Sequence, residues 1–288
     1  MPPDERRLPS PLHLAQGELA PADLAELLAL KAQIQARRGF ACENYKEKCL
    51  RRRVAVRMRA RGVHRFADYA ALLENDPTEY DRLLAVITIN VSKFFRNAEV
   101  WSTLSERVLP QLLAPGRGTV RAWSAGCAAG EEPYTLAIAL LEFARARRDP
   151  RSARRFEIIG TDVDDAILDA ARRAEYGESA LSETSPELRQ RWFEPGPPFR
   201  PKASVRSLVR FRRLDLLREP FPQPLHLVFC RNVFIYFERN VQESLFERFH
   251  AALEPGGFLV LGKVETIFGP GSRLFEPVSS RDRIYRRA

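Results

Sequence analysis

Trp123-Ser-Ala-Gly-Cys-Ala-Ala-Gly-Glu-Glu-Pro-Tyr134 is the stretch on which the fold turns. An apolar run over residues 120–124 leads into it and reads as a buried strand. Gly126 and Gly130 let the backbone turn sharply beside a ligand, and Pro133 opens a helix at its natural first-turn position. The loop lacks the lysine and hydroxyl of a GxxxxGK[ST] motif, and its carboxylates, Glu131 and Glu132, would repel a phosphate. A ligand bearing positive charge suits it better. From these residues alone the plainer reading, two glutamates favouring a helix dipole, stays open.

Toward the C-terminus short apolar runs alternate with helical stretches: strand 157–161, helix 165–174, strand 225–230, helix 240–253, strand 258–262, and Arg283-Ile-Tyr-Arg as a last strand. Such alternation predicts a mainly parallel α/β sheet covered on both faces, with its ligand at the carboxyl ends of the strands. The strand tips carry fitting chemistry. Asp162 ends the second strand and is left to accept ribose hydroxyls, because Asp164 and Asp165 are better placed to cap the next helix. Asp215 follows a run ending at Phe211, and Phe229-Cys-Arg-Asn-Val-Phe-Ile-Tyr-Phe puts Arg231, Asn232 and Tyr236 above the same cleft. Over about 193–212 the alternation breaks into Glu194-Pro-Gly-Pro-Pro-Phe-Arg-Pro and an alternating stretch from Val205 to Phe211, read as a small antiparallel β insertion.

Upstream the texture is helical. Residues 1–20, rich in proline and charge, are expected to be flexible, and 21–89 read as a helical domain with helices near 22–34, 45–61, from Phe66 and from Pro77. The α/β domain then runs over 90–288. The 288 residues are 45% hydrophobic and 29% charged, as in a globular protein, with 46 Lys+Arg against 37 Asp+Glu for a net charge of +9. No uncharged apolar run approaches the roughly 18 residues that cross a bilayer, and the start reads as no secretion signal. A cytoplasmic protein, not embedded in a membrane, is expected. Cys42, Cys49, Cys127 and Cys230 form no CxxC, and the four histidines have no paired spacing, so no metal is expected.

Asn90-Val-Ser-Lys-Phe-Phe-Arg96, the glycine loop and the string from Phe229, in this order and spacing, resemble the CheR family of chemotaxis receptor methyltransferases, from about Leu27 to the C-terminus. The resemblance implies a class I S-adenosylmethionine-dependent methyltransferase fold, Rossmann-like, with a small β insertion and an all-α N-terminal domain. It implies methyl transfer from S-adenosylmethionine to glutamate side chains on the cytoplasmic helical region of methyl-accepting chemotaxis receptors, leaving S-adenosylhomocysteine. By position, Asn90, Ser92, Arg96, Gly126, Glu132, Asp162, Asp215, Leu216, Arg231 and Asn232 match the family's cofactor-lining residues, and Arg96 and Tyr236 match the pair that aligns the reacting groups. Ser92 stands where threonine is usual, Asp215 where asparagine is common, and Lys263-Val-Glu where His-Ser-Glu is familiar. A monomer is expected.

From Lys46 to Arg61 eight basic residues meet one acidic residue, and Arg53, Arg57 and Arg61 recur every four positions beside Leu50, Val54 and Met58. A solvated basic face is the ordinary reading; the resemblance favours docking of an acidic receptor segment. Pro195, Pro197, Pro198 and Pro201 lack the N–H that an edge strand offers a partner, so recruitment through a receptor's C-terminal tether peptide is not expected. Two rival functions stand beside this one. A class I methyltransferase acting on nucleic acid or a small molecule is allowed by the basic charge, although no Asn/Asp-Pro-Pro-Tyr signature supports it and no nucleic-acid partner is expected. A non-catalytic S-adenosylmethionine-binding signalling module is disfavoured by the intact set Arg96, Glu132, Asp162 and Tyr236.

Overall fold

The computed structural model describes residues 12–15, 17–88, 91–114, 118–153 and 155–288. The chain divides into two compact units, Met1–Ile89 with Tyr236–Glu238, and Asn90–Ile235 with Arg239–Ala288.

The first unit is helical: α1 (Leu12–Ala15), α2 (Pro21–Arg38), α3 (Glu47–Ala60), α4 (Phe66–Asn75) and α5 (Pro77–Thr88). Apolar residues three and four apart place Leu27, Leu30 and Ile34 of α2 in one buried core with Leu50, Val54 and Met58 of α3 and Leu83 and Ile87 of α5. Proline opens α2, and Gly39 closes it in left-handed backbone, φ 66°, with its N–H on the Gln35 carbonyl. The expectation of a flexible start fails at Leu14, which is buried in this core. The buried Arg51 guanidinium needs acceptors, and the carbonyls of Leu14 (2.8 Å) and Gly17 (3.1 Å) supply them. Helix α3 starts later than its pattern suggests because Tyr45 is extended and forms an antiparallel bridge with Phe237. The Lys46 N–H donates to the Tyr236 carbonyl (2.8 Å) and the Glu238 N–H to that of Asn44 (3.0 Å), so a three-residue excursion of the later chain is built into this unit.

Packing also corrects the basic stripe. Arg57 donates twice to the fully buried Glu79, at 2.8 Å each, and Arg61 donates to Asp76 (2.9 Å) and Glu79 (3.1 Å). Arg53 is half-buried, and its Nε is buried without a partner. Before its last residue, Ala60, the residues of α3 turned to water are Lys48, Arg52, Val56 and Arg59. At about 100° per residue, Arg57 and Arg61 fall within about 20° of the core residue Leu50, whereas the other four lie on the opposite side.

The second unit is an α/β sheet: β1 (Val120–Ala125), β2 (Phe156–Asp162), the hairpin β3 (Phe193–Glu194) and β4 (Arg200–Pro201), then β5 (Val209–Arg213), β6 (Leu225–Cys230), β7 (Leu253–Leu261), β8 (Phe275–Ser279) and β9 (Ile284–Arg287). Its helices are α6 (Ala98–Thr103), α7 (Leu109–Leu112), α8 (Glu131–Ala146), α9 (Pro150–Ala153), α10 (Asp165–Arg173), α11 (Pro186–Trp192), α12 (Ala203–Arg206) and α13 (Arg239–Ala252). The seven-stranded order is β5-β2-β1-β6-β7-β9-β8, parallel through β7 and antiparallel at β9 and β8. The chain moves from β1 to β2 on one side and returns through β6 on the other, which opens a crevice above the carboxyl ends of β1 and β6.

The insertion is smaller than its sequence suggests. Its strands β3 and β4 are two residues each, with Phe199 bridging antiparallel to Tyr176; 203–206 is helical, and β5 joins the main sheet in parallel beside β2, Val209 opposite Ile158. Phe211 decides this placement by packing its ring over Gly160, where a Cβ would lie 2.8 Å from it. Strict alternation announces a strand but not the sheet that receives it. Strand β8 was not anticipated: of its residues only Phe275 is buried.

Candidate active site

The loop after β1 is held to the tip of β2. The N–H groups of Gly126 (2.8 Å) and Cys127 (2.9 Å) donate to the Thr161 carbonyl, and the Ala128 N–H donates to Asp162 Oδ2 (3.0 Å). Gly126 has φ 75°, and a Cβ there would lie 2.6 Å from Val233 Cγ2. Gly130 has φ 92°, a left-handed backbone that disfavours a side chain, and a Cβ there would sit tightly, 3.0 Å from Phe211 and 3.1 Å from Ala171. Asp162 is buried and also accepts the Asp164 N–H (3.2 Å), while Asp164 itself caps α10, as its position suggests. Burial pushes the Asp162 carboxyl up to about 6, against the pull of its N–H partners. The Leu214 N–H donates to the Asp162 carbonyl (3.0 Å), which brings the end of β5 alongside. Next in the chain, Asp215 accepts the Leu217 N–H (2.8 Å) and Leu216 is buried.

Glu132 accepts the Ser124 hydroxyl (2.8 Å) and faces Arg231 (3.4 Å). Burial raises the Glu132 carboxyl, and Arg231 opposes that rise; burial in turn lowers Arg231. The Arg231 side chain is 2% exposed and donates from Nη2 to the Arg96 carbonyl (3.0 Å) and to Asn97 Oδ1 (2.8 Å). It therefore fastens the turn that carries Arg96. Phe95 (φ 54°) and Asn97 (φ 62°) are left-handed on either side of Arg96. Non-glycine residues persist there only where the surroundings over-determine them. The Phe94 N–H donates to the Ala180 carbonyl (2.9 Å), that of Phe95 to Thr135 Oγ1 (3.2 Å) and that of Asn97 to Glu183 (2.9 Å). Ser92 is half-buried just upstream. Asn90 lies outside the described residues.

The structure thus gathers Arg96, Gly126, Glu132, Asp162, Arg231 and Asn232 around the carboxyl ends of β1, β2 and β6, with Asp215 and Leu216 after β5. Tyr236 belongs to the helical unit, as do Arg53, Arg57 and Arg61. Two buried carboxylates at this crevice are not among the residues matched by position, although Glu131 is named in the reading of its loop. Glu131 has Oε2 without a partner and is pushed by burial up to about 7. Glu265 accepts backbone N–H groups, among them those of Gly262 and Asn232; its only sequence signal is its place at the end of Lys263-Val-Glu. The thiols of Cys127 and Cys230 are buried and raised by burial, which makes them poor nucleophiles. An acceptor-rich crevice with a sterically required glycine turn suits a hydroxyl-bearing, positively charged ligand.

Residues 90–284 match the family model described as CheR methyltransferase, SAM binding domain, and residues 25–88 match that described as CheR methyltransferase, all-alpha domain. The chain is 36% identical over 233 residues to the chemotaxis protein methyltransferase of Listeria monocytogenes, covering 81% of this chain and 86% of that protein. It is 38% identical over 192 residues to chemotaxis protein methyltransferase 1 of Pseudomonas aeruginosa, covering 65% and 70%. With the chemotaxis protein methyltransferase of Salmonella typhimurium it shares 31% over 241 residues, covering 81% and 80%.

Proposed function

The chain belongs to the CheR family of S-adenosylmethionine-dependent methyltransferases, and from that premise we propose that it methylates glutamate carboxylates on the cytoplasmic helical region of chemoreceptors, giving methyl esters and S-adenosylhomocysteine. The observation that carries this reading is the acceptor-rich crevice, in which Asp162 and Glu132 flank the glycine turn.

S-adenosylmethionine, when bound, supplies a methyl group made electrophilic by its sulfonium. Asp162 accepts ribose hydroxyls, Glu132 places negative charge near the cationic ligand, and Gly126 allows close backbone approach. Asp215, Leu216, Arg231 and Asn232 line the rest, with Ser92 and Asn90 on the segment before the sheet. The acceptor glutamate has a reference pKa of about 4.3 and is ionised at neutral pH, so no general base is needed. What remains is alignment and the exclusion of water. Arg96 holds the acceptor carboxylate through forked hydrogen bonds, and the Tyr236 hydroxyl orients its approach.

For the receptor, the exposed face of α3 offers Lys48, Arg52 and Arg59 around Val56, which is 46% exposed. We assign docking of an acidic helical segment to this face. The hairpin has two residues per strand, one of them Pro201, and is followed by helix rather than a third strand, which supports recruitment without a tether peptide. Among the described residues no helix is long and apolar enough to cross a membrane, in keeping with a cytoplasmic enzyme.

The test is methyl transfer from radiolabelled S-adenosylmethionine to chemoreceptor-bearing membranes. The label should be released by alkali, and Tyr236→Phe should slow turnover by about tenfold or more with S-adenosylhomocysteine affinity unchanged. An alkali-stable label would overturn the ester reading, and wild-type turnover in Tyr236→Phe would reduce that residue to a wall.

A further inference from the structure

Glu265 lies just past β7, is 4% exposed, and takes part in none of the steps above. Its carboxylate accepts the N–H groups of Gly262 (2.6 Å), Asn232 (2.8 Å) and Ile235 (3.3 Å). One side chain therefore ties the loop after β7 to the loop after β6. Both loops are shaped for the contact. Asn232 is held in left-handed backbone, φ 62°, and its own N–H is one of the groups that Glu265 takes. Gly262 admits no side chain: a Cβ there would lie 2.7 Å from Glu265 Oε2 and 2.8 Å from the Asn232 nitrogen. Lys263 and Val264 face water, so Glu265 is the inward residue of its tripeptide.

We propose that Glu265 is a positioning residue: by holding the Asn232 and Ile235 amides it fixes the loop after β6 and with it Asn232 against the cofactor. The inference rests on the reading of Asn232 given above. Three incoming donors explain why the residue is a carboxylate. An ionised carboxylate is all acceptor, whereas an amide of the same shape turns an NH2 toward at least one of these N–H groups. The Gly262 bond is local, while the Asn232 and Ile235 bonds span 33 and 30 residues, so the contact transmits the position of β7 directly into the β6 loop. Immediately before it, Arg231 is fixed by Glu132, Asn97 and the Arg96 carbonyl. From Arg231 to Ile235 the loop is thus held at three points by two buried charged side chains.

Glu265→Gln keeps the volume and removes half of the acceptor. S-adenosylhomocysteine affinity, measured by calorimetry, should fall about tenfold and turnover by at least as much, with the Michaelis constant for receptor unchanged. Hydrogen exchange at the Asn232 and Ile235 amides should quicken while the strands keep their protection. Asp282→Asn is the control, because Asp282 is as buried and accepts the Thr103 and Ser279 hydroxyls rather than the amides of these two loops. It should leave affinity and turnover unchanged even at an equal loss of melting temperature. Wild-type affinity and turnover in Glu265→Gln, or equal losses in Asp282→Asn, would overturn the proposal. Should Glu265→Gln not fold, the wild-type protein decides: its Asn232 and Ile235 amides must exchange far more slowly than that of Val264, and equal rates reject the role. Asn232→Ala separates the two readings. If it leaves affinity intact, the assignment of Asn232 falls; if it weakens binding while Glu265→Gln does not, only the positioning role falls.

Discussion

In the helical unit Glu79 is fully buried and answered on every side, by Arg57, by Arg61 and by the Tyr69 hydroxyl at 2.9 Å. In the α/β unit Asp162, Glu131 and Glu265 are nearly as buried but have backbone N–H groups or nothing as partners. Their titration follows. Burial pulls Glu79 up, yet the two guanidiniums and the hydroxyl prevail and hold it below the usual carboxylate range. Burial prevails at the other three, and all are raised. A buried carboxylate matched by cations of its own unit belongs to the fold. Of the three, Glu265 gives its oxygens to the loop amides, whereas Asp162 and Glu131, short of positive charge, are poised for a ligand that brings donors and a cation.

Glu79→Ala should break the comparison with the largest effect. It strands Arg57 and the Tyr69 hydroxyl in the core and should cost about 3 kcal/mol in urea unfolding, the low end for a broken buried pair because Arg57 is 17% exposed. Cofactor affinity should not change. A loss below about 1 kcal/mol would mean that Glu79 is no keystone.

Asp162→Asn is the counterpart. S-adenosylhomocysteine binding should weaken by about 1.5–3 kcal/mol, while the melting temperature at pH 8 holds or rises. The sign follows from linkage. With a folded value of about 6, above the ordinary value of about 3.9, Asp162 contributes stability that is present in acid and is lost as pH rises through about 6. Glu79, depressed, contributes stability that is present above its ordinary range and is lost as pH falls through its folded value. Cofactor affinity, which needs the ionised Asp162, should fall about tenfold between pH 7 and pH 5, and the Asn variant should flatten that slope. A slope that survives in the variant would assign the titration elsewhere, with Glu131 the first candidate.

The smallest effect is expected on the outer face of α3. Arg52→Glu and Arg59→Glu should each raise the Michaelis constant for receptor by about twofold to fivefold, less at high salt, with cofactor affinity untouched. Arg57→Glu should instead unfold the helical unit, because it places a second carboxylate against Glu79. Equal kinetic effects from the inner and outer arginines would erase the distinction between them.

Much of the architecture and its chemistry lay open in the order of residues. Helical periodicity marked the first unit, short apolar runs between amphipathic helices marked the sheet, and glycines at 126 and 130 marked the turn, where the backbone has positive φ. These signals are local: each depends on the conformational preference or the burial of a few neighbouring residues. What only the folded chain decided depends on partners distant in sequence. Phe211 found Gly160 and took β5 into the main sheet; Leu14 found the helical core; Glu79 claimed Arg57 and Arg61, leaving Lys48, Arg52 and Arg59 to water. Glu265 met Asn232 across 33 residues. A charge or a hydrogen-bonding group carries no mark in the sequence of which partner it will meet, because burial and pairing are settled by packing between elements, and only the tertiary structure brings those elements together.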